Sequence, residues 1–469
     1  MSQSLLLSFG GLFLHSCNLF NNDNSEKNII VIGAGIAGLA AAKKLSEAGF
    51  KVTVLEARNR IGGRIQTIDL NGFKMDAGAS WIHGTTNNPL YLFSQEESVL
   101  TVPTFDDPSY LYDVNGEDIT EDEWKEVESY LGQLYDESFS YPDISLRELT
   151  AIVEPKLKLT EKMKRLFYGA VRTEVEVPYA EDGTDLSSAV LHSDDSFPGN
   201  NVLFPGGMSQ LVSILSRGLD IRLNTFVTDI NYSSDQVEVF FTNPSGIDKK
   251  RSCHACHQNN DAPVLTPDGS LKADKVIVAL PLGMLKNRSV TFFPDLPSRK
   301  RDAIANTSIG TMNKVFLYFG NKFWPDDGTF LEYFKDNYSE MMVYESFSAI
   351  GNKNVLTTFL GGKHARQIER ADIRSTMDMV MLDLRKMFGS SIPDPENIYK
   401  TGWHTDPFAL GAYPHIPPGS KLSHCDRIAE SIDDKVFFAG DSTTSKYLAT
   451  AHGAYISGIN AAKKIINNS

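Results

Sequence analysis

Three glycines, Gly33, Gly35 and Gly38, stand in G-x-G-x-x-G spacing, and an acid, Glu56, closes the segment that follows them. Residues of these types at these intervals can hold a dinucleotide. The first glycine allows a tight turn, the second lets backbone approach a pyrophosphate, and the third lets a helix pack close to a strand. An acid in the position of Glu56 can accept hydrogen bonds from ribose hydroxyls. The elements needed to position the set are also present. Ile29–Ile32 is an apolar run of the kind found in buried parallel strands. An Ala-rich segment with helical periodicity follows and ends at Gly49, and a second strand pattern, Val52–Leu55, runs into Glu56. The N-terminus of such a helix offers free N–H groups and partial positive charge to phosphates. A chance glycine-rich turn would lack this strand–helix–strand frame. The βαβ unit alone does not separate NAD from FAD.

The next residues crowd the same edge. Arg58, Arg60 and Arg64, with Gly62 and Gly63, fall directly after the second strand, where cofactor phosphates would lie. Phe73–Gly84 reads FKMDAGASWIHG, glycine-broken and carrying an aromatic and a histidine. Thr101–Ser196 is acidic, with helix-like patterns at Glu121–Leu134 and Glu161–Val171, and reads as a largely helical insertion. A helix is expected at Ser209–Arg217, strands at Asp220–Leu223, Phe226–Tyr232, Gln236–Phe241 and Lys275–Leu280, and a long loop over Thr242–Leu271. Lys314–Phe319 and Val355–Leu360 read as strands of a second sheet, and Asp372–Met387 as a helix. Val436–Asp441 returns to the style of the first strand, and a small-residue-rich helix, Thr450–Ile466, follows. The expected fold is therefore α/β. A Rossmann-like dinucleotide domain is assembled from discontinuous segments, 28–100, 200–285 and 425–469, and an α+β substrate-binding domain is built from 101–199 and 286–424.

Composition narrows the function. The 469 residues are 41% apolar and 22% charged, as in globular proteins with large cores. A net charge of −14 argues against nucleic acid or an anionic membrane as partner. It suits a cationic substrate, and it equally serves solubility. Four cysteines, Cys17, Cys253, Cys256 and Cys425, make no disulfide scaffold. No metal site is expected.

Further along, a set of motifs resembles the flavin-containing amine oxidase family. They are Arg60-x-Gly62-Gly63-Arg64, Asp76–Gly84, Leu280–Leu285, Asn313-Lys314-Val315, Trp403–Pro407 with Gly411-Ala412-Tyr413, Phe438–Thr443, and His452-Gly453-Ala454 with Ser457-Gly458. They keep the family's order and span nearly the whole chain from Asn28. The D-x-G-A-x-W-I-H-G form looks most like the polyamine oxidase branch, which also contains the related histone demethylases. The resemblance implies FAD. It places Gly33, Gly35, Gly38, Glu56, Arg64 and the backbone of Val227 around the ADP half, with Arg58 and Gly63 also among the cofactor-binding residues. Gly440, Asp441 and Thr450 fall near the flavin end. Asp441 stands where the family usually has Glu, one methylene longer, so its contact would run through water. The helix from Thr450 would point its N-terminus at the flavin ring and favour the reduced state. Lys314 matches the lysine that reaches flavin N5 through a water; from spacing alone it would be a strand lysine snorkelling to solvent. Tyr447 matches the aromatic wall beside the flavin, and aromatic faces orient amines. His83 matches a substrate-facing histidine, although a lone histidine is often structural. Trp81 and Trp403 either touch substrate or pack behind the flavin. Glu174, Glu181 and Asp185 either meet the far end of a polyamine or form a solvated acidic loop.

The activity implied is FAD-dependent oxidation of an amine, a polyamine foremost. A hydride passes to flavin N5, O2 takes up the electrons as hydrogen peroxide, and the imine hydrolyses to an aldehyde. An L-amino acid oxidase would need an arginine for the substrate carboxylate, and no motif supplies one. A non-catalytic flavoprotein binding module would not need Lys314 and Tyr447. Two segments lie apart from this reading. Leu5–Leu14, Cys17 and the Asn-rich spacer to Lys27 resemble a bacterial lipoprotein leader, with Cys17 as the lipid anchor, although Met1–Ser4 contains no Lys or Arg. This points to an exported or membrane-anchored protein, with a disordered tail on a cytoplasmic one as the alternative. Cys253-His254-Ala255-Cys256-His257 fits C-x-x-C-H, the pattern for haem attachment, and also a surface disulfide, a metal clip or a chance match.

Overall fold

The computed structural model describes residues 27–104, 109–192, 196–246, 266–325, 329–351 and 354–469. Cys17 and its leader, and the C-x-x-C-H stretch at Cys253–His257, lie outside the described residues. At the N-terminal end, β1 (Asn28–Ile32), α1 (Ile36–Glu47) and β2 (Lys51–Leu55) form the expected βαβ unit. Its two strands belong to a five-stranded sheet whose order is Val436–Phe438, Lys275–Val278, β1, β2, Asp220–Arg222, with every pair parallel. One sheet thus collects strands from both ends of the chain.

Alternation along β1 explains why the sheet must be covered on both sides. Ile29 and Val31 point into a core with α1 and the C-terminal helix Ala451–Asn467. Ile30 and Ile32 point into a second core with Ile230, Val237 and Val239. These last residues belong to a four-stranded sheet in the order Gly269–Ala273, Val237–Thr242, Phe226–Asn231, Thr291–Phe293. The strand Thr291–Phe293 runs parallel to Phe226–Asn231, and Ala303 and Ile304 of the next helix enter the same core. The nucleotide-side packing therefore continues past residue 285.

The other half is built on a six-stranded sheet in the order Asn397–Lys400, Met312–Tyr318, Val355–Gly361, Val343–Ser346, Phe330–Tyr333, Ser109–Tyr112. Val315, Leu317, Leu331 and Leu356 face the helices Gly362–Arg370 and Ile373–Phe388, which bury Ala365, Ile368, Val380 and Leu384 against them. The opposite face is turned towards the nucleotide half. The insertion is helical, as its patterns indicate: Glu121–Ser138, Leu146–Leu157 and Glu161–Val171. Thr120 with Glu123 and Ser145 with Glu148 form complete capping boxes, which fix where the first two helices begin. The third helix runs on into a π-helical turn, Arg172–Glu176.

Candidate active site

A cavity of about 940 Å³ lies between the two halves. Its walls come from the loop after β1, the turn after β2, Ala77–Trp81, the π-helical turn, the open face of the six-stranded sheet, and Tyr447–Ala454.

The nucleotide end is shaped by backbone. Gly33 has φ +102°, and a Cβ there would stand 2.6 Å from the Ala279 carbonyl oxygen. A Cβ on Gly38 would stand 2.0 Å from the Gly33 oxygen, so α1 could not sit where it does with any side chain at that position. Gly35 differs: a Cβ there would meet nothing within 4 Å. Its bare backbone faces open cleft at the N-terminus of α1, which is the room a pyrophosphate needs. Glu56 is buried, and its two oxygens accept from Ala34 N and Arg58 N, each at 2.8 Å. The carboxylate thereby ties the glycine loop to the turn after β2. Val227 lines the same end. Gly63, with φ +59°, lies beside Gly35; its Cβ would be 3.4 Å from the Gly35 Cα.

The cationic residues expected around the phosphates are already engaged. Arg58 forms a two-pronged ion pair with Asp406 at 2.8 and 2.6 Å. Arg64 does the same with Asp441 at 2.7 and 2.6 Å, and also donates to the Ala412 carbonyl at 2.7 Å. Arg64 and Asp441 thus form one unit at the cleft wall. Gly440, with φ +142°, donates its N–H to Ser457 Oγ at 2.8 Å. Thr450 caps the C-terminal helix: its Oγ1 accepts from Gly453 N at 2.9 Å and donates to the Tyr447 carbonyl at 2.8 Å. That helix start faces the cleft with its partial positive charge.

Lys314 sits at the centre of the opposite wall. It is buried, and Nζ donates to the carbonyls of Asp76 (2.9 Å) and Gly78 (2.8 Å) and to Ser80 Oγ (2.5 Å). Burial lowers its pKa to about 8, while the charges of Asp76 and Glu345 act in the opposite sense. Trp81 and Phe359 flank the ammonium at 5.5 and 5.3 Å. The lysine is therefore held inside the protein and does not snorkel. Trp81 and Trp403 both line the cleft; Trp403 is the more buried and is fixed by donating Nε1 to the Ala77 carbonyl at 3.1 Å. Tyr447 adopts φ +62° and stacks on Phe197, with ring centroids 4.4 Å apart. His83 lies exposed at the cleft, and its charge, after burial, helps push His452 down to about 4.

The acids divide. Glu181 is bound by Arg366 at 2.9 and 3.0 Å, so it is a structural anion. Glu174 lines the cleft. Opposite it stands Glu332, an acid with no sequence motif around it. Glu332 is buried, lines the cleft, and its Oε2 has no hydrogen-bond partner among the described residues. Burial, then the charge of Glu174, raises its pKa to about 8, while the Thr173 hydroxyl of the π-helical turn acts in the opposite sense. Register relates it to Lys314. Lys314 pairs with Phe359, Phe359 with Val343, and Val343 with Glu332. Directly opposed residues share a face, so the four form one row across four strands, about 14 Å from end to end at the Cα atoms. Phe330–Tyr333 reads F-L-E-Y, and a single acid within an apolar strand was the one local signal available.

Comparison with known proteins bears on the family and the fold. The family described as flavin-containing amine oxidoreductase matches residues 36–466. Probable polyamine oxidase 4 of Arabidopsis thaliana is 32% identical over 465 residues, covering 94% of this chain and 87% of its own. Lysine-specific histone demethylase 1 homolog 2 of the same plant is 31% identical over 471 residues, covering 95% of this chain and 59% of its own. The chain thus spans little more than half the length of that demethylase relative. Among solved structures, wild-type putrescine oxidase bound to putrescine superposes with a TM-score of 0.74 at 18% identity, covering 94% of this chain and 99% of that one.

Two substitutions check the site. Glu56→Ala leaves the Ala34 and Arg58 N–H groups without their acceptor, and the protein is expected to purify with most of its flavin lost, read from the ratio of flavin to protein absorbance. Lys314→Met is expected to keep its flavin and to slow flavin reduction or reoxidation by about a hundredfold, the lower end for a placed proton-bearing group. Rapid-mixing absorbance at wild-type speed would rule out the role given to Lys314.

Proposed function

The chain belongs to the flavin-containing amine oxidoreductase family and takes FAD as its cofactor, and from that premise we propose that its substrate is a polyamine, oxidised at a carbon next to nitrogen with O2 as the electron acceptor. Bound FAD supplies a two-electron acceptor. The carbon–nitrogen bond becomes an imine, water hydrolyses it to an aldehyde and a shorter amine, and O2 becomes hydrogen peroxide. The residues of the chain supply placement. The stacked Tyr447–Phe197 pair offers a flat wall for the amine. Lys314, fixed by three acceptors, holds a proton at a defined point in the cleft wall.

The observation that carries the polyamine reading is Glu332. A buried carboxylate oxygen without a partner is costly unless a ligand completes it. With Glu174 beside it, the partner that satisfies both is a cation. The row Lys314–Phe359–Val343–Glu332 sets that anionic point about 14 Å along the sheet from Lys314, so the substrate carries a second charge well away from the reacting carbon. An L-amino acid would need a free arginine. Among the described residues lining the cleft, the arginines are Arg58 and Arg64, and both are held by aspartates.

Anaerobic mixing separates the readings: spermine is expected to bleach the flavin, and L-amino acids are not. Bleaching by an L-amino acid alone would end the polyamine reading. The pH dependence has a defined sign. Glu332 is neutral below about 8 and charged above it, so the KM for spermine should fall as pH rises through that value. Glu332→Gln should raise the KM and flatten this dependence, as seen in initial-rate peroxide assays.

A further inference from the structure

The π-helical turn Arg172–Glu176 carries Thr173 and Glu174 into the cleft. Such a turn widens a helix at the expense of its regular hydrogen bonds and persists where its surroundings hold it. Here the holder is Arg172, which is fully buried. Its Nη1 donates to Glu176 Oε2 at 2.9 Å and to Asp182 Oδ1 at 3.0 Å, and its Nη2 donates to the Gly361 carbonyl at 2.7 Å. These acceptors lie on three segments: the turn itself, the loop that follows it, and the end of the strand Val355–Gly361. Each segment is pinned again. Glu176 Oε1 accepts from Gly183 N at 2.8 Å, and Asp182 Oδ2 accepts from Lys363 N at 3.0 Å. A Cβ on Gly362 would stand 2.6 Å from Asp182 Oδ1, so the loop and the strand end touch. That strand also carries Phe359, the neighbour of Lys314 in the row that ends at Glu332.

One cation therefore joins the turn bearing Glu174 to the sheet bearing Glu332, without itself lining the cleft. The join has work to oppose. Once Glu332 is charged, the two facing carboxylates repel, and repulsion in a poorly solvated site is stronger than in water. A turn free to shift would carry Glu174 away and disperse the anionic point. We propose that Arg172 is a positioning residue for substrate selection: its guanidinium holds the π-helical turn so that Glu174 stays opposite Glu332, and amines with a second charge are thereby preferred over those without. This rests on the polyamine reading above.

The test uses the FAD-loaded enzyme with spermine and n-butylamine as probes. In Arg172→Met the KM for spermine should rise by about tenfold, equivalent to about 1.4 kcal/mol of binding. The limiting rate of flavin reduction and the n-butylamine KM should change by less than about twofold, the pattern for loss of binding shared by ground and transition states. The rise in Tm that spermine gives to the anaerobically reduced enzyme should shrink in step, and Arg172→Lys, which keeps the charge but not the planar fork, should fall between. If Arg172→Met does not fold, Glu176→Gln serves instead and should show the same selective rise. Equal loss for both amines, a parallel fall in limiting rate, or an unchanged spermine KM in a folded variant would overturn the proposal. Glu332→Gln separates the two layers: an unchanged spermine KM there defeats the substrate reading itself, whereas a raised one alongside a silent Arg172→Met defeats only the positioning role.

Discussion

Backbone must approach backbone at the carboxyl ends of the parallel strands, and everything else in this molecule is arranged around that requirement. Gly33 lies against the Ala279 carbonyl, Gly38 against Gly33, and Gly458 of the C-terminal helix against the Ala37 carbonyl, where a Cβ would stand 2.1 Å away. These contacts let two helices and two strands converge on one point without side chains filling it. What remains is the bare surface at Gly35. Glu56 then fixes the lip of that surface by accepting from both adjoining loops. The cleft exists because side chains are missing where the chain is most crowded.

Charge is handled in two ways around the cleft. Arg58 and Arg64 are matched by aspartates, so each contributes geometry with little net field. Lys314 is held by carbonyl and hydroxyl dipoles. Lys286, Lys300 and Lys400 each donate to three carbonyls at a helix C-terminal end, where the carbonyls otherwise lack donors. Lys314 uses the same device against the Asp76–Ser80 segment, with no helix to cap. Its burial therefore serves the cleft and not a helix end, and its lowered pKa follows from the same dehydration.

Much of the fold could be read from local pattern. The βαβ unit, the helical insertion and the final helix each announce themselves within a few turns of chain. Lys314 and Tyr447 were legible through the motifs that surround them. What could not be read depends on distant pairing. Arg58 meets Asp406 across 348 residues and Arg64 meets Asp441 across 377. Glu332 has no motif, and only the register of four strands places it in line with Lys314. Glu181 looked like a candidate for substrate because its partner, Arg366, lies on a helix far along the chain. The π-helical turn left no mark in the helical periodicity that precedes it.

The contact between Gly458 and Ala37 has a consequence for how the protein comes into being. The first βαβ unit to leave the ribosome lacks the helix that covers α1 and the strand Val436–Phe438 that completes its sheet, and both arrive only after the whole substrate half has been made. Its Ala-rich face stays wet for most of synthesis. Loop closure over such a span is slow, and uncovered apolar surface invites association with other chains. The helical insertion and the strands between Met312 and Lys400, whose pairings are nearer in sequence, are free to mature first. Assembly of the nucleotide half is thereby placed last, and an incompletely translated chain has no finished seat for its flavin.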